Sequence, residues 1–180
     1  MAPMTRADLL ATLKRLRACP DAQMWAAATP GDPSDLWSTC DRVDWLLWLA
    51  AESGIVLPVV LAACDCARTA IGFVPAGEDR PLRAIDVAER IGRGEITGGA
   101  AARAAVAAAR AAWAAGDAAR AAVDAGDAAV DAGDAAGAAA GDAAGAAARA
   151  ENLRLVRARI PWSLVESALS AASEVTSSPE

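Results

Sequence analysis

Carboxylates and thiols are the groups in this sequence whose types and spacing could do chemistry. Asp117, Asp124, Asp127, Asp131, Asp134 and Asp142 follow one another at intervals of seven, three, four, three and eight residues. At 100° per residue they share one helical arc of roughly 100°, with Arg120 among them. Like charges three and four apart destabilise an isolated helix, and aspartate is a poor interior helix former. A row that accepts this cost would suit a basic cleft, such as that of a nuclease, or could imitate phosphates. A solvated face in a repeat prone to slippage explains the same row with no function, and both readings stand. No EF-hand-like loop with a terminal glutamate accompanies the row, so a calcium site is not expected.

The four cysteines are Cys19, Cys40, Cys64 and Cys66. Cys64 and Cys66 are two apart, which on a helix turns their thiols about 200° from each other. That is not the spacing of a zinc or redox pair, and small apolar thiols packed in a core account for it. Histidine is absent. Its absence removes the commonest general base, the usual partner of serine and cysteine nucleophiles, and the commonest metal ligand. There is no glycine-rich phosphate loop, nucleophile elbow or metalloprotease motif either. The expectation is a protein that is not an enzyme, with no catalytic residue, no metal and no cofactor. Asp41, Asp44, Asp65, Glu78, Asp79 and Glu89 could form an acidic constellation with Arg42, Arg68, Arg80 and Arg83, but ordinary ion pairs explain these charges equally well.

The elements that must position these groups read as helices throughout. Thr5 and Asp8 form a capping pair ahead of Leu9, Leu10, Leu13 and Leu16, predicting a helix over 5–18. Cys19-Pro20-Asp21 opens a second helix to Ala28, and Thr29-Pro30-Gly31-Asp32-Pro33 is a loop. Ser34 is the expected cap of a third helix running to about Ser53, with Gly54 as its stop. On that continuous helix Trp37, Trp45 and Trp48 would face one way, as core or as an aromatic anchor. Pro58 falls in the first turn of a fourth helix reaching Phe73, and Val74-Pro75-Ala76-Gly77 is a turn. Glu78, Asp79 and Pro81 start a fifth, with Leu82, Ile85, Ala88 and Ile91 on its apolar side. A last helical region over 153–172 is interrupted by Pro161, and 173–180 is an expected frayed tail.

Between these regions, residues 99–150 are almost only Ala, Gly, Asp and Arg, including the tandem heptad VDAGDAA at 123–129 and 130–136. Alanine makes helix the default. Opposite the acidic arc lies a small-residue seam of Val123, Gly126, Val130, Gly133 and Gly137, which would let another helix approach closely. Trp113 and Val106 fall on the charged side of a straight rod, so a bend is expected near Gly116.

Large apolar residues concentrate before residue 96 and after 152. The expected organisation is therefore a single helical domain over 1–180: scaffold helices over about 5–96 and 152–172, and alanine-rich helices over about 99–150 packed against them. The expected class is all-α, a compact multi-helix bundle. The net charge of −6 argues against direct nucleic-acid binding and against an anionic membrane, and suits a basic partner. The most apolar stretch, 43–64, is broken by Asp44, Glu52, Ser53, Gly54 and Pro58, too often for a span. MAPMTRADLL does not read as a signal peptide, and reduced thiols in the cytoplasm are expected.

Four blocks carry a resemblance: CDRVDWLLWLAAESG at 40–54, LAACDCAR at 61–68, VPAGEDRPLRAIDVAERIGRGE at 74–95 and IPWSLVESAL at 160–169, with an alanine-dominated tract between the last two. In this order they resemble the alanine-rich immunity proteins associated with bacterial polymorphic-toxin systems, the fifth named immunity family. The resemblance implies a small cytoplasmic protein that binds and neutralises a cognate protein toxin by occlusion. Relatives often interleave tyrosines through the tract. This chain has none, and its tract is rich in Asp and Gly instead, which implies a different partner or a drifted repeat. Two other readings of the same features are a phage-type anti-defence inhibitor that mimics nucleic acid, and a structural protein forming homodimers through the glycine seam.

Overall fold

Capping chemistry decides where the chain starts and stops its helices. The computed structural model describes residues 3–74, 76–96 and 135–176, excepting the side chains of 73, 135–143 and 173–176. Every helix or strand segment among the described residues is helical, so the class is all-α. No described helix is long and apolar enough to cross a membrane. The chain divides into two compact units, one of residues Met1–Ile55 with Ile160–Glu180, the other of Val56–Arg159.

The first unit begins with α1, Arg6–Arg15. Thr5 Oγ1 accepts from Asp8 N–H at 3.2 Å, and the Asp8 carboxylate accepts from Thr5 N–H at 3.0 Å. This is the expected capping box. The helix stops earlier than its spacing predicts, because Arg17 turns to φ 59°. Ala18 N–H then donates to Leu13 O and Arg17 N–H to Lys14 O, a Schellman closure that satisfies carbonyls the helix leaves open. Helix α2, Pro20–Ala28, starts on proline.

The expected third helix is two. Asp32, not Ser34, caps α3, Pro33–Thr39, in a second capping box with Asp35. An aspartate with proline at N1 and an acid at N3 outcompetes a serine already inside the first turn. Ser38 and Thr39 hydroxyls both donate to Asp35 O, and Cys40 and Arg42 take extended backbone before α4, Val43–Glu52. Gly54, at φ 85°, closes α4 as Arg17 closes α1, with Ile55 N–H donating to Ala50 O. Helix α8, Trp162–Thr176, completes this unit. It extends past the expected frayed boundary at 173, and residues 177–180 lie outside the described residues. Its Val165 and Leu169, with Ile160 ahead of them, are among the most buried side chains, alongside Leu9, Leu36 and Leu46.

The second unit centres on α5, Val56–Thr69, which packs against both α6, Arg80–Gly92, and α7, Ala135–Arg159. The α5 helix ends at Thr69 rather than Phe73, and Ile71–Phe73 form a 3₁₀ turn. Cys64, Ala67, Ile85 and Ala88 make its buried cluster, with Val60 and Ile71 against it. Ile85, Ala88 and Ile91 bury as their spacing predicts, but Leu82, in the first turn of α6, remains exposed. Gly92 ends α6 where a Cβ would stand 2.6 Å from Leu61 Cγ, so glycine permits the close approach of α5.

Candidate functional site

The aspartates singled out by spacing are not among the groups the structure arranges. Asp117, Asp124, Asp127, Asp131 and Asp134 lie outside the described residues, as do Val123, Gly126, Val130 and Gly133 and the bend expected near Gly116. Asp142 and Gly137 belong to α7, at positions whose side-chain surroundings are not described.

Among the described residues, aromatic and cationic side chains come together in the first unit. The break at 40–42 separates the tryptophans expected on one face. Trp37, on α3, is buried and stacks toward Trp162 of α8 with centroids 6.1 Å apart. Trp45, on α4, meets Trp25 of α2 instead, at 6.0 Å and 59° between planes. A small apolar cavity of about 50 Å³ lies among Leu13, Trp25, Leu36, Trp37, Trp45 and Trp162 and neighbouring side chains. Its lining is almost entirely apolar, which disfavours a water there.

Outside that cavity is a surface groove of about 520 Å³ lined by Arg17, Cys19, Ala22, Arg42, Asp44, Trp45 and Trp48. Three backbone decisions position it: the left-handed residue at Arg17, the proline start of α2 after Cys19, and the extended residue Arg42 ahead of α4. The Arg42 guanidinium lies 4.6 Å over the Trp45 ring, a cation–π contact. Its Nε and Nη2 donate to the two oxygens of Asp44 at 2.9 and 2.7 Å. That bond holds the Asp44 carboxyl below the usual carboxylate range, chiefly through Arg42, and raises Arg42 in turn. Both side chains are about half exposed, so the pair orients the guanidinium more than it stabilises the fold. The groove offers aromatic faces, oriented cations and one thiol, the inventory of a recognition surface.

The acidic constellation weighed in the sequence resolves into separate pairs. Asp65 accepts from Arg159 at 2.7 Å, Asp79 from Arg83 at 2.5 Å, and Glu78 pairs with Arg80. Arg68 joins Glu89 at 2.5 Å and Asp86 at 2.8 Å, tying α5 to α6. Cys64 and Cys66 diverge as their spacing predicts: one thiol faces Ile85 O at 3.9 Å, the other Asn152 O at 3.7 Å. Burial pushes both up to about 11. No group of three or more acidic or thiol side chains among the described residues is placed to hold a metal ion.

Sequence spacing missed Arg17, Trp25 and Trp162. The left-handed turn at Arg17 carries no sequence mark, since glycine or asparagine is the usual sign. Trp25 and Trp162 sit far from Trp45 and Trp37 in the chain, and periodicity along one helix cannot pair them. No protein-family model, curated protein or solved structure matches the chain.

Proposed function

We propose that this chain is an immunity-type inhibitor, which binds a cognate protein toxin or a similarly basic protein and occludes it without catalysis or cofactor. The observation that carries the reading is an acidic run without cations in the alanine-rich tract. Among the described residues most carboxylates are engaged: Asp44, Asp65, Asp79, Asp86, Glu78, Glu89, Glu95 and Glu151 pair with arginines, and Asp8, Asp32 and Asp35 cap helices. Between Arg120 and Arg149, by contrast, the sequence has five aspartates and no cation, against a net charge of −6 for the whole chain. The tract as a whole has six aspartates against four arginines, but five of the aspartates fall in that one cation-free run. Such a concentration steers a basic partner and adds specificity more than raw affinity. Asp117, Asp124, Asp127, Asp131, Asp134 and Asp142 are the residues assigned to this contact. The resemblance of the four sequence blocks to immunity proteins points the same way.

The test uses the full chain as bait in lysate of its source at low and high salt, beside a variant with Asp→Asn at 124, 127, 131 and 134. The expected result is one basic protein, released by salt, lost in the variant, and toxic when expressed without this chain. Recovery of this chain alone at both salts, or binding with unaltered salt dependence in the variant, overturns the reading.

A further inference from the structure

Cations are scarce in the first unit, and their distribution is uneven. Residues 1–55 and 160–180 hold five, Arg6, Lys14, Arg15, Arg17 and Arg42, against ten carboxylates. Arg6 donates to the carbonyls of Ala26, Ala27 and Gly31, and Arg42 to Asp44. Lys14, Arg15 and Arg17 are exposed and have no carboxylate partner among the described residues. All three stand at the end of α1, and Arg17 lines the groove.

The dipole of α1 gives Lys14 and Arg15 a reason to be there. It favours a cation at Arg17 as well, but not the backbone there, which at φ 59° takes the conformation in which glycine is the default. The equivalent closures of α4 and α6 both use glycine, Gly54 and Gly94. A long cation at a strained position, lining the same groove as Trp45 and Trp48, indicates use of the side chain. Across the groove, Arg42 has its Nε and Nη2 committed to Asp44 and its Nη1 still available to a ligand. Trp45 and Trp48 are half-buried between them, with Cys19 and Ala22 completing the wall. Tryptophan and arginine in a desolvated groove are the residues that dominate binding energy at protein interfaces.

We propose that the groove of Arg17, Arg42, Trp45 and Trp48 is a docking surface for an acidic protein segment carrying an apolar anchor. The anchor rests on the tryptophans, and flanking carboxylates meet Arg17 and the free edge of Arg42. A nucleic acid fits worse, because an extended polyanion would pass the unit's carboxylates, which outnumber its cations two to one, with few phosphates neutralised. The surface is distinct from the aspartate tract of the preceding section and does not depend on it.

The test is fluorescence anisotropy with the full chain and a fluorescein-labelled octapeptide of alternating glutamate and leucine. Oligothymidylate of equal charge and sedimentation of the chain alone serve as comparisons. Two variants are read, Arg17→Gly and Trp48→Leu. Arg17→Gly relieves the left-handed strain, so it melts no lower than wild type while binding the peptide about fivefold or more weakly. Opposite movements of stability and binding cannot come from misfolding. Trp48→Leu weakens binding at unchanged charge. Peptide that fails to bind, or binds both variants as well as wild type, overturns the proposal. So does oligothymidylate bound as tightly with the same dependence on Arg17, which makes the groove a polyanion site. Self-association abolished by Trp48→Leu also overturns it, since a second copy then covers the groove.

Discussion

At the scale of single residues, the four thiols occupy four environments. Cys40 and Cys64 are buried, Cys66 is partly covered, and Cys19 is exposed at the start of α2. Cys64 and Cys66 are in addition held up to about 11, mainly by burial, so near neutrality they carry almost no thiolate, the reactive form. A disulfide reagent near pH 8 is therefore expected to titrate one thiol per native chain quickly, at Cys19, and all four after denaturation. Cys19→Ser removes the fast phase; a fast phase that survives it contradicts this arrangement. The inertness of Cys64 and Cys66 was legible from their two-residue spacing, which sends them to different neighbours. The exposure of Cys19 was not, because it depends on the left-handed turn at Arg17 just before it.

At the scale of elements, starts of helices were more legible than stops. Thr5 with Asp8 announces α1 because a hydroxyl and an acid three residues apart satisfy each other's backbone locally. The same logic held at Asp32 and Asp35, two residues earlier than the cap expected at Ser34. The break at 40–42 had no proline or glycine to mark it, and losing it misplaced Trp37 relative to Trp45. Between α5 and α6 the contact is narrow at Gly92. Gly92→Ala gains about 1 kcal/mol of helix propensity but drives a methyl into Leu61, 2.6 Å away. Overpacking of this kind costs about 1–3 kcal/mol, and the expected net effect is a loss of roughly 1 kcal/mol in urea unfolding. A more stable variant would mean the helices are not so close.

The same pair of helices carries an acid-sensitive clamp. Arg68 holds the Glu89 carboxyl below its ordinary value of 4.5. A depressed carboxylate contributes its stability above the unfolded value and loses it as pH falls through the folded one. Stability should thus decline as pH drops below about 4.5, and the decline should be smaller in Arg68→Met. Arg68 is 40% exposed, so the difference is set at roughly 0.5–1 kcal/mol, the range of solvent-screened pairs. Equal acid dependence in both proteins would show that the clamp contributes nothing.

At the scale of the whole molecule, the helical class followed from periodicity, while the division into units did not, because it depends on which distant helices meet. The first unit takes its end from the other side of the chain: Ile160, Val165 and Leu169 are at most 1% exposed, and all follow the entire second unit in sequence. Deleting residues 160–180 should strip the first unit of its cooperative thermal transition and leave Trp25 and Trp45 emission solvent-shifted. An intact transition would show that α8 is dispensable. The aspartate tract was legible only as composition and spacing, and its residues up to 134 are not among those described.

The return of α8 to the first helices has a consequence for how the protein is made. Synthesis delivers residues 1–55 before 56–159, but their last layer leaves the ribosome only after the whole of 56–159. Through that interval the tryptophans of the early segment lack part of their cover, while α5 and α6 already have each other. The earlier segment then matures after the later one, and a nascent chain stalled in the repeat would expose those aromatic surfaces to chaperones and proteases.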